Sequence, residues 1–406
     1  MITPHNPFRV ANSYDRLIYE MKIPFTKIPT LVEVTKTATP IPKATEIEQI
    51  DIVPTDIIKV IATPRPTFGP LRNLEEIVHN IRINRAESDP DFVFRVNPNL
   101  YDDRINLLFM GRDGYQPDKG KVGPADVYKI LSFDKENYEL DIISIPRDLY
   151  VPEEGVRINT VMSEHDNDLL SVVPIVENIS GLPIDFYIYV DGVELIEDLV
   201  NSLGGINVNV ASTCEDAGDG ERYEAHVYEA GLTFMNGHDA GRYSRLRACD
   251  SDSQRMERQL EVFTGMVNRI RDYLKNDPIN GIKEIKELYD VFLKYQERDL
   301  VEIGSTTPNN ELEILPLGLN AVLFSLEHDG LPDYTTHINL GVPYRWFSFY
   351  NPFTGNKRWY LSFTPHQVLF DGQTPVEMRE QYYNFPLEEL NGLGVRDYIE
   401  QRLVSE

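Results

Sequence analysis

The sequence has few cysteines, no long apolar runs and little basic charge, and each shortage narrows what the protein can be. Its 39 lysines and arginines stand against 65 aspartates and glutamates, which gives a formal net charge of −26 over 406 residues. So acidic a chain argues against a general nucleic-acid binder, because such proteins need many cations to neutralise phosphates. It does not exclude a small anionic ligand held by a local group of arginines.

Two further shortages concern membranes and cross-links. No apolar run approaches the roughly 20 residues that a membrane-spanning helix needs, and the first residues show no apolar signal-peptide region. The two cysteines, Cys214 and Cys249, allow two interpretations. A disulfide between them would contribute about 3–4 kcal/mol on the chain-entropy model, and two unrelated free thiols fit the count equally well.

Composition divides the chain into three parts. Between residues 24 and 70 there are eight prolines and nine threonines, which is typical of extended segments and not of a packed core. We therefore interpret residues 1–70 as a spacer or N-terminal extension, and residues 71–275 as the main folded domain. The remainder, residues 276–406, is predicted to complete that domain or to pack on it, with helices at 278–295, 310–326 and 387–403 and a hairpin at 346–363.

The order of the predicted elements indicates an α/β fold. After a short helix at 74–83, the apolar patterns predict strands at 104–110, 125–133 and 139–145. Helices predicted at 172–179 and 193–203 then alternate with strands at 184–190 and 206–210. Alternation of this kind is typical of a sheet covered by helices.

Three charged residues flank the first three strands. If consecutive strands are antiparallel, Asp113 after the first, Asp126 at the start of the second and Arg147 after the third share one rim of the sheet. Two carboxylates and an arginine suit Mg²⁺ beside a phosphate, because carboxylates supply oxygen ligands and a guanidinium binds phosphate with two N–H groups. The alternative is that both aspartates are ordinary turn residues.

A cluster of basic residues follows the α/β pattern. Five arginines lie between residues 242 and 258: Arg242, Arg245, Arg247, Arg255 and Arg258. They are interpreted either as a site for an anion or as the solvated charges of a helix and its preceding loop.

The helix that begins in this cluster has a repeating apolar stripe. Its members recur at intervals of three and four: Met256, Leu260, Phe263, Val267, Ile270 and Leu274. At about 100° per residue, Arg255 and Gln259 fall at the edge of the stripe, whereas Arg258 points away from it. The pattern therefore predicts that Arg255 and Gln259 line a cleft and that Arg258 faces water.

Several ordered motifs resemble the LytR-CpsA-Psr family of bacterial cell-wall glycopolymer ligases. The resemblance covers residues 103–273 and rests on these runs, in the order of the family: NLLFMGRD at 106–113, Asp126, SIPRDLYV at 144–151, RIN at 157–159, GLPIDFY at 181–187, LGGINVNV at 203–210, MNGHDA at 235–240, YSRLR at 243–247 and DSQRMERQ at 252–259. A weaker resemblance to the tail that often follows this domain extends over residues 312–371.

The resemblance implies a fold, an activity and a set of site residues. The fold is an α/β domain, residues 71–275, with a central mixed sheet flanked by helices and a groove for a polyprenyl lipid. The activity is Mg²⁺-assisted transfer of a glycopolymer phosphate from a polyprenyl diphosphate carrier to peptidoglycan, with a pyrophosphatase-like side activity. By the same resemblance, Asp113 and Asp126 stand near the metal and join Arg147 as catalytic residues, and the carrier is bound by Arg245, Arg247, Arg255, Gln259 and Asn159.

The chain also departs from the family pattern. The family usually has an arginine shortly after the first aspartate, and an arginine with serine or threonine before the second. Here Asp113 is followed by Gly114-Tyr115, and Asp126 follows Pro124-Ala125. One alternative to an active enzyme at the extracellular face of the cell envelope is therefore a catalytically weak polyprenyl-phosphate-binding protein. The spacer and the acidic composition leave a structural wall protein as a further alternative.

Overall fold

The computed structural model describes residues 70–112, 125–218, 224–246, 252–307, 333–341, 345–350, 357–362, 382–387, 390 and 393–404. All of them lie within one compact unit, Thr55–Glu406. Residues 1–69, the helix predicted at 310–326 and the turn of the predicted hairpin lie outside the described residues. The boundaries proposed at residues 70 and 275 remain predictions.

A six-stranded mixed sheet forms the centre of this unit. Its strands are β1 Arg104–Arg112, β2 Val127–Asp134, β3 Glu139–Ile145, β6 Phe186–Asp191, β11 Val301–Ser305 and β12 Asp333–Asn339, in the spatial order β11-β6-β1-β2-β3-β12. The pairs β1–β2 and β2–β3 are antiparallel, whereas β6 runs parallel to β1 and β12 runs parallel to β3. The predicted mixed sheet and the antiparallel run of the first three strands are confirmed.

Helices cover both faces of the sheet. They are α1 Pro70–Ser88, α2 Phe92–Arg95, α3 Ile158–Glu164, α4 Val173–Ser180, α5 Glu194–Ser202, α6 Gly237–Tyr243, α7 Asp252–Asn276, α8 Pro278–Gln296 and α9 Val395–Val404. Apolar residues of α3, α4 and α9 form the main core on one face with the even-numbered residues of β1 and β2. On the opposite side, helix α8 contacts both α5 and α7. This arrangement is the α/β/α layering that the sequence predicted.

Within the described residues, short strands pair into four further two-stranded sheets. They are β4 Tyr150–Val151 with β5 Val156–Arg157, β7 Ile206–Val210 with β10 Gly231–Met235, β8 Cys214–Asp216 with β9 His226–Tyr228, and β13 Arg345–Tyr350 with β14 Lys357–Ser362. The last pair is antiparallel, as predicted for the hairpin. Gly204 and Gly205 end α5 with φ of 68° and 92°, which only glycine adopts at low cost.

Two predicted helices have different bounds in the structure. The helix predicted at 74–83 extends to Pro70–Ser88, since proline is favoured in a first turn and no glycine or proline follows before residue 88. The helix predicted at 387–403 begins only at Val395. Leu387 instead forms an isolated bridge with Leu393, and the sequence places two glycines, Gly392 and Gly394, before the helix.

Cys214 is bonded in a disulfide, so the free-thiol interpretation is wrong for this residue. The other cysteine of the sequence, Cys249, lies outside the described residues. Within the described part of the chain, no helix combines the length and the apolar content that crossing a bilayer requires.

Candidate active site

A partly open space of about 350 Å³ separates the sheet from α5, α7 and α8. This volume lies within the range of small-molecule sites. The described side chains that line it are mostly apolar: Leu107, Phe109, Leu131, Ile142, Ile188, Val190, Leu195, Ile196, Leu199, Val262, Phe263, Met266 and Phe292. We call this space the cavity.

The alternation of the strands decides which residues reach the cavity. Successive side chains of a strand point to opposite faces of its sheet. Leu107 and Phe109 of β1 line the cavity, whereas Leu108 and Met110 lie in the core on the other face. These residues of β1 are therefore apolar on both faces of the sheet, with one face packed and the other lining the cavity.

Polar residues line the cavity near the rim where β1 ends and β2 begins. They are Arg112, Asp126, Ser244, Arg245, Arg255 and Gln259. The two strand ends are adjacent because Asp126 N–H donates to the carbonyl oxygen of Gly111 at 2.7 Å. The cavity thus has an apolar body and a charged rim, a combination suited to an amphipathic ligand with an anionic head.

Asp126 and Arg147 meet at this rim, where the antiparallel strands place them. An Nη1 hydrogen of Arg147 is donated to Oδ1 of Asp126, and both side chains are largely buried. Arg147 Nε lies 3.6 Å from Oδ2 of Asp148. Oδ1 of Asp148 accepts a hydrogen bond from Arg157 Nη1 at 2.7 Å. Asp113, the third residue expected here, lies outside the described residues.

The N-terminal part of α7 supplies the opposite side of the rim. Arg255 is only 3% exposed, and its Nη2 donates to the carbonyl oxygen of Asp126 at 3.4 Å. Gln259, one turn later, lines the cavity on the same helix face. Arg245 lines it from the segment after α6, where its Nε donates to Gly241 O at 3.2 Å. Arg247 lies outside the described residues.

The prediction that Arg258 faces water is wrong. Its side chain is 5% exposed, its Nη2 donates to the carbonyl oxygen of Leu246 at 2.5 Å, and its guanidinium lies over the ring of Tyr243. The prediction assumed that only the apolar stripe of this helix is buried. In the structure, α6 and the segment that follows it also cover the other side of α7. Arg258 holds that segment in place and is not among the cavity residues.

Two charged residues of the cavity were not predicted from the sequence. Arg112 ends β1 and pairs with Asp191, its register partner at the end of the parallel strand β6, through Nε to Oδ1 at 2.8 Å and a second bond from Nη2. Only the long-range register of β1 and β6 brings these two residues together. Lys129 of β2 also lines the cavity and is 6% exposed.

Asn159 lies behind the rim. Its backbone N–H donates to the carbonyl oxygen of Arg147 at 3.1 Å, and its side chain is buried. It does not appear among the described residues that line the cavity. From this position Asn159 supports the main chain that carries Arg147.

The described carboxylates near the rim suit Mg²⁺ only as part of a larger ligand set. No group of three or more histidine, cysteine, aspartate or glutamate side chains with metal-site geometry occurs within the described ranges. Mg²⁺ is commonly held by one or two carboxylates with water and substrate phosphates completing its shell. Asp126, which lines the cavity at this rim, has a carboxylate of that kind.

Comparison with known proteins finds a match to a protein family over the part of the chain that forms most of the sheet and the cavity. The LytR_cpsA_psr family model matches residues 75–308. The polyisoprenyl-teichoic acid–peptidoglycan teichoic acid transferase TagV of Bacillus subtilis (strain 168) is 30% identical over 218 residues, covering 50% of this chain and 55% of TagV. The transferase TagU of the same organism is 30% identical over 171 residues, covering 41% of this chain and 52% of TagU.

Two solved structures are also similar to this chain. The crystal structure of B. subtilis TagV is 22% identical and has a TM-score of 0.45, with 73% of this chain and 98% of that chain covered. The structure titled TagT bound to LI-WTA is 20% identical and has a TM-score of 0.44, with 70% and 90% covered. The chain spans about half the length of the curated relatives it matches.

Proposed function

The chain belongs to the LytR_cpsA_psr family, and from this premise we propose that it transfers a glycopolymer phosphate from a polyprenyl diphosphate carrier to peptidoglycan. One observation carries the proposal, namely an apolar cavity whose rim is lined by Arg245, Arg255 and Asp126. The curated relatives TagV and TagU are named as transferases of polyisoprenyl-linked teichoic acid to peptidoglycan, which supports the same class of donor and acceptor.

The two parts of the cavity match the two parts of such a carrier. The apolar walls would bury the polyprenyl chain, and each buried methylene contributes about 0.8 kcal/mol to binding. The arginines at the rim would bind the diphosphate, since a guanidinium donates paired hydrogen bonds to phosphate oxygens. A purely ionic ligand would not need the apolar walls, and a purely apolar one would not need the arginines.

The reaction is a displacement at the phosphorus that bears the glycopolymer. A hydroxyl oxygen of the acceptor forms a bond to this phosphorus, the bond from phosphorus to the bridging oxygen breaks, and polyprenyl phosphate leaves with the electron pair. Arg147, Arg245 and Arg255, with Arg247, would stabilise the charge that spreads over the phosphate oxygens, which is the main catalytic requirement of phosphoryl transfer. The carboxylate of Asp126, or that of Asp113, would accept the hydroxyl proton. Water as the acceptor would give the pyrophosphatase-like side activity.

Mg²⁺ is assigned to the same rim. Asp126 and Asp113 would hold it, and when bound it would neutralise charge on the diphosphate oxygens. The ion pair with Arg147 holds the Asp126 carboxylate at the rim, where its oxygens could serve as ligands to a hard cation.

A second function is favoured by the surroundings of Asp126. The residue before it is Ala125, which is fully buried, and the guanidinium of the nearby Arg112 is paired with Asp191. Fewer cations would then reach the diphosphate than in the family pattern. The alternative function is a cell-envelope protein that binds polyprenyl phosphates with weak turnover or none.

Replacing Leu131 with tryptophan tests whether the cavity holds the lipid chain. Leu131 lies on the central strand β2 between β1 and β3 and lines the cavity, so the larger ring projects into the space that the chain would occupy. Excluding two methylene groups costs about 1.6 kcal/mol, and we expect about tenfold weaker binding of a long-chain polyprenyl diphosphate. Affinity is measured by equilibrium binding in detergent micelles.

The matched control introduces the same ring outside the cavity. Leu232 of β10 is exposed and is not among the cavity residues, so Leu232→Trp should leave lipid affinity unchanged. A short-chain analogue, geranyl diphosphate, should bind Leu131→Trp nearly as well as wild type, because its tail needs less of the cavity. Equal losses for both chain lengths would contradict burial of the lipid chain in this cavity.

A further inference from the structure

The cavity wall contains a lysine that the proposed reaction does not yet use. Lys129 is almost fully buried among the apolar residues of β1, β2 and β3. Its Nζ donates to Ser144 Oγ at 2.7 Å and to the carbonyl oxygen of Met256 at 3.4 Å. A buried ammonium group is costly unless its charge and its N–H groups are compensated, so its presence in an apolar wall requires a reason.

A chain of hydrogen bonds holds this lysine in position. Ser144 Oγ lies 3.0 Å from Nε2 of His337, and Nδ1 of His337 lies 3.2 Å from Oε2 of Glu257. Because a carboxylate only accepts, Nδ1 of His337 carries the hydrogen of its bond to Glu257. These contacts link Lys129 through Ser144 and His337 to the half-exposed carboxylate of Glu257.

Glu257 provides the compensating charge for the lysine. Burial alone would raise the pKa of Glu257, but hydrogen bonds from His337 and Asn339 outweigh it and lower the pKa, so the side chain is an anion. Burial lowers the pKa of Lys129 to about 8. The negative charge of Glu257 opposes this shift, and the positive charge of Arg255 adds to it. At neutral pH the ammonium form of Lys129 still predominates.

The ammonium group has one donor more than the described residues use. It carries three N–H groups, and two acceptors are found for it within the described part of the chain. The remaining donor belongs to a residue that lines the cavity. Lys129 is the third residue after Asp126, which places it about 10 Å along β2 from the rim. It also contacts the carbonyl oxygen of Met256, the residue after Arg255. Its position is thus between the arginines of the rim and the apolar body of the cavity.

We propose that Lys129 binds the phosphate of the carrier that is attached to the lipid, which is the phosphate that leaves as polyprenyl phosphate. This inference rests on the proposed function and adds to it a residue for the leaving group. When the bond from the glycan-bearing phosphorus to the bridging oxygen breaks, the electron pair goes to the lipid-linked phosphate. Lys129 stabilises that charge through its N–H group and keeps its proton.

The test compares ligands that differ only in the phosphate. Wild type, Lys129→Met and Arg255→Ala are titrated in detergent micelles with a long-chain polyprenyl monophosphate and with the uncharged polyprenol. Methionine has nearly the shape of lysine and suits an apolar wall, so Lys129→Met should fold. We expect about tenfold weaker binding of the monophosphate by Lys129→Met, as for loss of a charged hydrogen bond, and unchanged or tighter binding of polyprenol.

Each of the other possible results would contradict the role of Lys129. If Lys129→Met binds the monophosphate as tightly as wild type does while Arg255→Ala binds it weakly, the role of Lys129 is wrong and the proposed function stands. Equal weakening of monophosphate and polyprenol by Lys129→Met would show a packing defect and would overturn the inference as well. If wild type binds neither the monophosphate nor a polyprenyl diphosphate, the proposed function falls together with the inference.

A second variant tests the hydrogen-bonded chain. Ser144→Ala removes the hydroxyl that joins Lys129 to His337 but leaves the ammonium group in the cavity. It should weaken monophosphate binding less than Lys129→Met does and leave polyprenol binding unchanged. If Ser144→Ala binds the monophosphate as weakly as Lys129→Met does and binds polyprenol normally, the assignment is still supported. In that case Lys129 needs its hydrogen bond to Ser144 to point to the phosphate. Weaker polyprenol binding would count against it.

Discussion

Replacement of Arg255 with alanine is expected to lower kcat/KM for a polyprenyl diphosphate donor by about 10²- to 10³-fold. The side chain is nearly fully buried at the rim of the cavity, and its Nη2 donates to the carbonyl oxygen of Asp126. A guanidinium in so dry a position interacts strongly with phosphate charge, because little water screens it. Its loss removes a donor that is already in place before the reaction begins.

Two further variants make this result specific. Arg255→Lys keeps the charge but loses the paired N–H groups, so its activity should lie between those of wild type and Arg255→Ala. Arg271 lies on the same helix outside the cavity lining and donates to Asn268 at 2.9 Å, so Arg271→Ala should stay within about twofold of wild type. An Arg255→Ala enzyme as active as Arg271→Ala would remove Arg255 from the site.

The second large effect concerns stability. Asp185, the residue before β6, is fully buried. Its carboxylate accepts hydrogen bonds from Arg82 Nε and Nη2, both at 2.7 Å, and from the backbone N–H of Asn106 at 2.9 Å. Asp185→Asn keeps the shape but leaves the guanidinium of Arg82 buried without its counter-charge. Breaking a buried ion pair in this way costs about 3–5 kcal/mol, so the urea midpoint of unfolding should fall sharply.

An exposed ion pair supplies the matched control. Lys286 and Asp290 pair on the surface of α8, one turn apart, with about half of each side chain exposed. Asp290→Asn should change the free energy of unfolding by only about 0.3–0.5 kcal/mol. If the two variants shifted the urea midpoint equally, the Arg82–Asp185 pair would not be the structural support that its burial indicates.

Local pattern was enough to predict four strands of the central sheet and the position of the rim, but not the strands β11 and β12. The predicted strands at 139–145 and 206–210 coincide with β3 and β7, because alternation of apolar residues and the flanking turns are local signals. The rim pair of Asp126 and Arg147 followed from the antiparallel order of three short-linked strands. Arg255 and Gln259 were placed in a cleft by the helical repeat alone, and both line the cavity.

The features that the sequence did not predict depend on contacts between distant segments. Arg258 was expected in water because the helical repeat does not show that α6 covers the far side of α7. Lys129 is linked in succession to Ser144 of β3, His337 of β12 and Glu257 of α7. Only the tertiary fold brings these distant residues into one series of hydrogen bonds. Asp185 was recognised as part of a motif, but its partner Arg82 lies 103 residues away.

The proposed function is tested most directly by release of polyprenyl phosphate from a glycan-bearing long-chain polyprenyl diphosphate in the presence of peptidoglycan. The assay is run with Mg²⁺ and again with excess EDTA. We expect release of the lipid monophosphate with Mg²⁺, covalent transfer of the glycan to peptidoglycan, and loss of both when the metal is removed. Tight binding of the carrier with no release of polyprenyl phosphate under either condition would contradict a transferase and leave the protein as a polyprenyl-phosphate-binding component of the cell envelope.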